Sequence, residues 1–124
     1  MEIIPFGSKD VDNILQKEPQ RAEYLPFGAV LLDRSGKILK YSQAEGLIAG
    51  RSPEEVMGKN FFNEVAPCAK GKRFHGEFLK FNQSGQANVM FDYEFDYKMR
   101  AVKVRIHLKN TPDGQNCWMF VKRV

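Results

Sequence analysis

Apolar positions along this chain recur either at helical spacing or in strict alternation, and the changes between the two rhythms mark its elements. In "DVDNILQK" (residues 10 to 17), Val11, Ile14 and Leu15 fall on one helical face with Asp10 at the cap position, so a short N-terminal helix is predicted, then a loop. "FGAVLLD" (27 to 33) is a short apolar run, "RSG" turns, and "KILKYS" follows, which reads as a first hairpin. "RSPEEVMG" (51 to 58) has Ser52 as N-cap, Pro53 at the first helical position, Glu55 closing a capping box and Gly58 as a stop. A second short helix is expected there. "KRFHGEFLKFNQSG" spaces Phe74, Phe78 and Phe81 at near-helical intervals and ends on Gly85, predicting a longer helix that crosses back over the sheet, with Gly76 weakening its start.

Three strands should close the chain. "NVMFDYEFDY" alternates Val89, Phe91, Tyr93, Phe95 and Tyr97 against polar neighbours, "AVKVRIHLK" alternates as cleanly, and "CWMFVKRV" follows the "TPDG" turn. Strands and helices segregated in this way predict an α+β domain whose antiparallel sheet is covered by helices on one face, the middle helices forming a pocket wall.

Composition adds limits rather than chemistry. With 124 residues, 43% hydrophobic and 27% charged, one domain with a real core is expected. The start "MEIIPFGSKD" has neither a basic leader nor an apolar h-region, and no apolar run approaches membrane length, so a cytoplasmic protein is expected, with no membrane partner. The two cysteines, Cys68 and Cys117, lie far apart and outside any metal-type pair. That predicts reduced thiols and no metal. The net charge of +4 raises the question of nucleic acid, but only "KGKR" (70 to 73) is clustered, so a solvated loop is expected and no nucleic-acid partner. Phosphate-loop, HExxH and GxSxG signatures are missing, as are repeats.

Candidate chemistry concentrates in the middle of the chain. Cys68 lies in the predicted loop between short helices, where it is either a small buried hydrophobe or, with Lys70, Lys72 and Arg73 favouring thiolate, a nucleophile or attachment point. Cys117, within an apolar strand, reads as packing. In "YSQAEGLIAGR" (41 to 51), Tyr41 and Glu45 stand four apart, so a helical turn would aim a phenol and a carboxyl in one direction. Apolar Ala44, Leu47, Ile48 and Ala49 flank them, and a buried carboxyl is pushed towards its neutral, proton-donating form. His107 falls on the polar phase of its strand and is expected to be solvated or structural.

The stretches "PFGAVLLDRSGKILKYSQAEG", "GKNFFNEVAPC", "FDYEFDYKM" and "FVKRV", in this order and at these distances, resemble the photoactive yellow protein family over nearly the whole chain. The resemblance implies a PAS fold: a central five-stranded antiparallel sheet flanked by short helices, with residues 1–25 as an N-terminal helical cap and 26–124 as the PAS core. It implies a blue-light photoreceptor rather than an enzyme, a monomer acting on an unidentified downstream signalling protein. Its cofactor would be p-coumaric acid (4-hydroxycinnamic acid), held as a thioester on Cys68. Tyr41 and a protonated Glu45 would bond its phenolate, Arg51 would lid the pocket, Phe61, Ala66, Pro67, Phe95 and Tyr97 would line it, and Met99 would assist thermal return to trans. Light would isomerise the chromophore, Glu45 would yield its proton, and the cap would partly unfold as the signal. Departures from the family pattern are Ala49 for a threonine, Ser42 for an asparagine, and the basic loop with His75. Two other classes stay open: a PAS-like module binding another small molecule non-covalently, and a thiol enzyme pairing Cys68 with His75.

Overall fold

The computed structural model describes residues 4–49, 52–65, 72–97 and 100–124. Its helices are α1 (Val11–Lys17), α2 (Gln43–Ala49), α3 (Pro53–Val56) and α4 (Lys72–Ser84), with a 3-10 segment over Pro19–Tyr24 and a π-helical turn over Phe61–Val65. Its strands are β1 (Gly28–Asp33), β2 (Ile38–Tyr41), β3 (Asn88–Tyr97), β4 (Arg100–Asn110) and β5 (Asn116–Arg123). They form one antiparallel sheet in the order β2-β1-β5-β4-β3. The first hairpin therefore docks beside the last strand, with Val30 opposite Tyr41 on one side and Met119 on the other. Among the described helices, none is long and apolar enough to cross a membrane.

Helices cover both faces of this sheet, which corrects the expectation of one. Val30, Leu32, Ile106 and Met119 face α4 and its phenylalanines Phe74, Phe78 and Phe81. Ala29, Leu31, Trp118 and Phe120 face the opposite way, against Ile4, Val11, Leu15 and Leu25 from the N-terminal segment. β1 is paired on both sides and covered on both faces, which explains why "GAVLL" is apolar without alternation: each side chain is buried on one face or the other. Strand β3, at the edge, alternates as predicted, with Phe91 buried and Met90, Asp92 and Glu94 exposed. The second cluster also accounts for His107. It occupies the polar phase of β4, yet the N-terminal segment covers it and leaves it 4% exposed beside the rings of Phe6 and Phe120. It is structural, and not solvated.

Two caps differ from their sequence patterns. Asp10 makes no side-chain bond to α1, which starts instead with the Ile14 N–H donating to the Asp10 carbonyl at 2.9 Å. Ser52 likewise spends its hydroxyl on the Glu55 carboxylate at 3.2 Å, and the Glu55 N–H reaches the Ser52 carbonyl at 3.1 Å. In both, the backbone closes the first turn. Gly85, with φ at 73°, ends α4 as the sequence predicts, because that left-handed geometry favours a residue without a side chain.

The N-terminal segment is held by apolar packing, so truncating its most buried leucine should be felt globally. Leu15→Ala is expected to lower stability by about 2 to 4 kcal/mol, read by urea titration through Trp118, the sole tryptophan, which lies in the same cluster. A loss under about 1 kcal/mol would mean that the cluster does not hold this segment to the sheet.

Candidate functional site

Tyr41 and Glu45 do not share a helical turn. Tyr41 is the last residue of β2 and Glu45 sits in the first turn of α2, and the sharp corner between them is made by Ser42. The Ser42 N–H donates to the Ala29 carbonyl at 2.9 Å. Its hydroxyl oxygen accepts from the Ala29 N–H at 2.9 Å and from the Glu45 N–H at 3.2 Å. Its carbonyl accepts from the Gly46 N–H at 3.2 Å. One buried serine thus caps α2 and stitches it to β1; Tyr41, 5% exposed, packs in the cluster that includes Val30, and Glu45, 3% exposed, lies over Gly28, which strand alternation puts on the Val30 face. The two residues are thus connected by a corner rather than by the single helical turn expected from their spacing.

Sequence reasoning passed over Ser42 as a positioning residue, although Ser42-Gln43-Ala44-Glu45 carries the capping-box pattern. Only the serine half of that box is used. The Glu45 carboxyl leaves Oε2 buried and without a hydrogen-bond partner among the described residues. Burial pushes its pKa up to about 8, so the group is a neutral acid at pH 7. A buried neutral carboxyl with an unused oxygen is a hydrogen-bond and proton donor for an acceptor brought into this space.

A second anchor lies on the other side of the site. Asn60 donates its amide to the Ser35 carbonyl at 2.7 Å, and its Oδ1 accepts from the N–H groups of Phe62 and Asn63 at 3.1 and 3.0 Å. The π-helical turn is thereby tied to the β1–β2 turn, and Phe61, 2% exposed, packs on Phe62 and Phe74. The chain enters residues 66–71 directly after this turn and leaves them at α4. Arg51, Ala66, Pro67, Cys68 and Met99 lie outside the described residues. Phe95 and Tyr97 fall on β3, with side chains outside the described ones, as is that of Ala49.

The remaining candidates are packing groups. Cys117 is fully buried, its thiol pushed up to about 12 by burial, with Sγ 3.6 Å from the Trp118 carbonyl oxygen. His107 Nε2 meets Asn88 Oδ1 at 3.0 Å, and burial lowers its pKa. The His75 ring lies against Phe62 at 4.8 Å between centroids. No cluster of metal-ligating side chains occurs among the described residues.

A raised glutamate pKa makes stability depend on pH in a stated direction. The folded state keeps the Glu45 proton up to about pH 8, whereas the unfolded chain releases it near the ordinary value of about 4.3. The stabilising effect of the neutral acid is complete below that lower value and is lost as pH rises to about 8, by up to about 5 kcal/mol. Urea titrations of the apoprotein between pH 5 and 9 should show this fall in the parent and not in Glu45→Gln; parallel curves would place the carboxyl in water.

The chain matches the family model described as PAS fold over residues 9–123. It is 75% identical over 124 residues to the photoactive yellow protein of Cereibacter sphaeroides, covering all of both chains. To that of Rhodobacter capsulatus it is 73% identical over 123 residues, 99% of each. Among solved structures it is similar to the photoactive yellow protein domain of the sensor histidine kinase Ppr from Rhodospirillum centenum. The TM-score is 0.84 and the identity 36%, over 91% of this chain and 100% of that one.

Proposed function

The chain belongs to the photoactive yellow protein family, PAS-fold photoreceptors that are not enzymes, and from that premise we propose that it senses blue light through p-coumaric acid bound as a thioester to Cys68. The observation that carries this reading is the Glu45 carboxyl: buried, neutral at pH 7 and with Oε2 unpartnered among the described residues, on the face it shares with Tyr41. That donor pair fits a phenolate, since a buried anion costs several kcal/mol unless charge-assisted hydrogen bonds offset it. When bound, the group supplies a light-driven trans-to-cis isomerisation and, at its phenolate oxygen, a proton acceptor.

The protein's residues divide the remaining work. Cys68 Sγ forms the covalent anchor; Tyr41 and Glu45 donate hydrogen bonds to the phenolate; Arg51 covers the pocket. Phe61, Ala66, Pro67, Phe95 and Tyr97 exclude water from it, and Met99 lends a flexible, polarisable side chain beside it. Glu45 would be the proton source for a bound acceptor that becomes more basic, and giving up its proton would leave a carboxylate where burial disfavours charge. An uncompensated buried ion costs several kcal/mol against a domain stability of roughly 5 to 15 kcal/mol, so local unfolding relieves it. The cap, residues 1–25, is the segment that opens, because it is tied to the sheet mainly by one apolar cluster and by a long Lys109–Asp12 ion pair of 3.8 Å. The opened cap signals to a downstream protein, with the receptor itself a cytoplasmic monomer. The PAS module binding another small molecule non-covalently is the second reading, and in it Cys68 stays free.

Intact mass after reconstitution with activated p-coumaric acid separates the two. The parent and Cys117→Ala are expected to gain one hydroxycinnamoyl group, removable by hydroxylamine, and to turn yellow, whereas Cys68→Ala gains none. A yellow Cys68→Ala overturns the attachment.

The trigger has its own test. Glu45→Gln keeps a donor but has no transferable proton, so it should remain coloured, with a shifted maximum, and expose its cap to protease under light far less than the parent. Equal light-dependent cleavage of the two proteins would remove the buried charge as the cause of opening.

A further inference from the structure

Gly28 opens β1, a strand paired on both sides, where a glycine gives the sheet no side chain to pack and often marks a close approach of another segment. Its backbone does not require it. Among the described residues the glycines with positive φ are Gly7, Gly36, Gly58, Gly85 and Gly114, and Gly28 is not one of them. Space requires it instead. A Cβ on Gly28 would overlap Glu45 Oε2 and stand 3.1 Å from both Cα and Cβ of Glu45. Gly76, which also has no positive φ, has nothing within 4 Å of the same position, so an ordinary backbone does not by itself bring a neighbour this close. The approach is imposed by Ser42, whose bonds to both the N–H and the carbonyl of Ala29 press the start of α2 onto β1 next to Gly28.

We propose that Gly28 is a positioning residue for the proton donor of this photoreceptor: the side chain it lacks is the space in which the Glu45 carboxyl is held against β1. The donor role rests on the proposed function; the steric relation does not. The two kinds of contact predict different responses. The carboxyl is the free end of a flexible side chain and can swing away, whereas the backbone at 3.1 Å needs to yield only a few tenths of an ångström. A methyl group at this position therefore displaces the acid while leaving the fold, and the displaced acid leaves the surface that buries it.

The test uses the apoprotein labelled with ¹³C at glutamate carboxyls, so that it reads the acid without the chromophore. In the parent, one carboxyl should titrate near pH 8 and be identified by its loss in Glu45→Gln. In folded Gly28→Ala its midpoint should fall by about one pH unit or more, a tenfold change in proton affinity, and the loaded protein should shift its visible maximum. An unmoved midpoint in the folded variant overturns the proposal and leaves the proton-donor reading intact. Light-driven cap opening in Glu45→Gln equal to the parent's bears on the other reading: it removes the buried charge as the cause of opening, and a moved midpoint would still establish the steric relation. Should Gly28→Ala fail to fold, it is repeated in Glu45→Ala, where the overlapping carboxyl is gone and the backbone contact is retained. Recovery of folding there supports the carboxyl as the obstacle, and failure in that background as well overturns it.

Discussion

Desolvation of one carboxyl organises this protein. Glu45 lies 3% exposed over Gly28, on the sheet face built from Val30, Ile106, Met119 and a row of phenylalanines, apolar side chains that do not reward its ionised form. Burial keeps the acid neutral, and among the described residues it has no ion pair to lower its energy when the proton leaves. Such a group stores free energy in its protonation state, of the order of several kcal/mol, and releases it as strain on the structure once the proton is taken. A surface glutamate at the same sequence position would titrate unnoticed.

The doubly covered sheet gives that stored energy a short route outward. Gly28 and Ala29 are consecutive residues of β1, yet Gly28 lies under Glu45 and Ala29 belongs to the cluster that holds the N-terminal segment. Pleating places the two on opposite faces, so the acid and the cap are separated by the thickness of one strand. Ser42 joins them physically, its hydroxyl oxygen accepting from the N–H of both Ala29 and Glu45. Trp118 and Phe120, stacked with a 12° interplanar angle, lie beside Ala29 and Leu31 under the same cap. A disturbance at Glu45 thus meets the cap's packing surface through a single shared hydrogen-bond acceptor.

Most of the frame was legible from periodicity, because alternation in β3 and helical spacing of Phe74, Phe78 and Phe81 report burial directly. The failures share one cause: periodicity says which side chains are buried but not what buries them. The expectation of helices on one face fails because "GAVLL" does not alternate and so names neither face, and which of the two readings of His107 holds, solvated or structural, is decided by a covering segment distant in sequence. Within the site, the Tyr41–Glu45 pair was visible from spacing, but the corner that joins them depends on hydrogen bonds from Ser42 to Ala29, thirteen residues away. The Asn60 anchor was hidden for the same reason, since its amide reaches Ser35 across the β1–β2 turn.

Ser42 to Glu45 shows how function departs from local stability. A Ser-x-x-Glu sequence at a helix start ordinarily satisfies two backbone donors reciprocally, the serine accepting at the third helical residue and the glutamate folding back to the cap. Here the serine half is kept and the glutamate half is given up, and burial of the released carboxyl raises its pKa to about 8. Restoring the full box would turn the carboxyl towards the cap N–H, where it would be solvated and ionised. That cap N–H is already taken, because it donates to the Ala29 carbonyl. Strand pairing at the corner therefore prevents the helix from reclaiming its own glutamate, and the acid remains available to whatever occupies the space beside Tyr41.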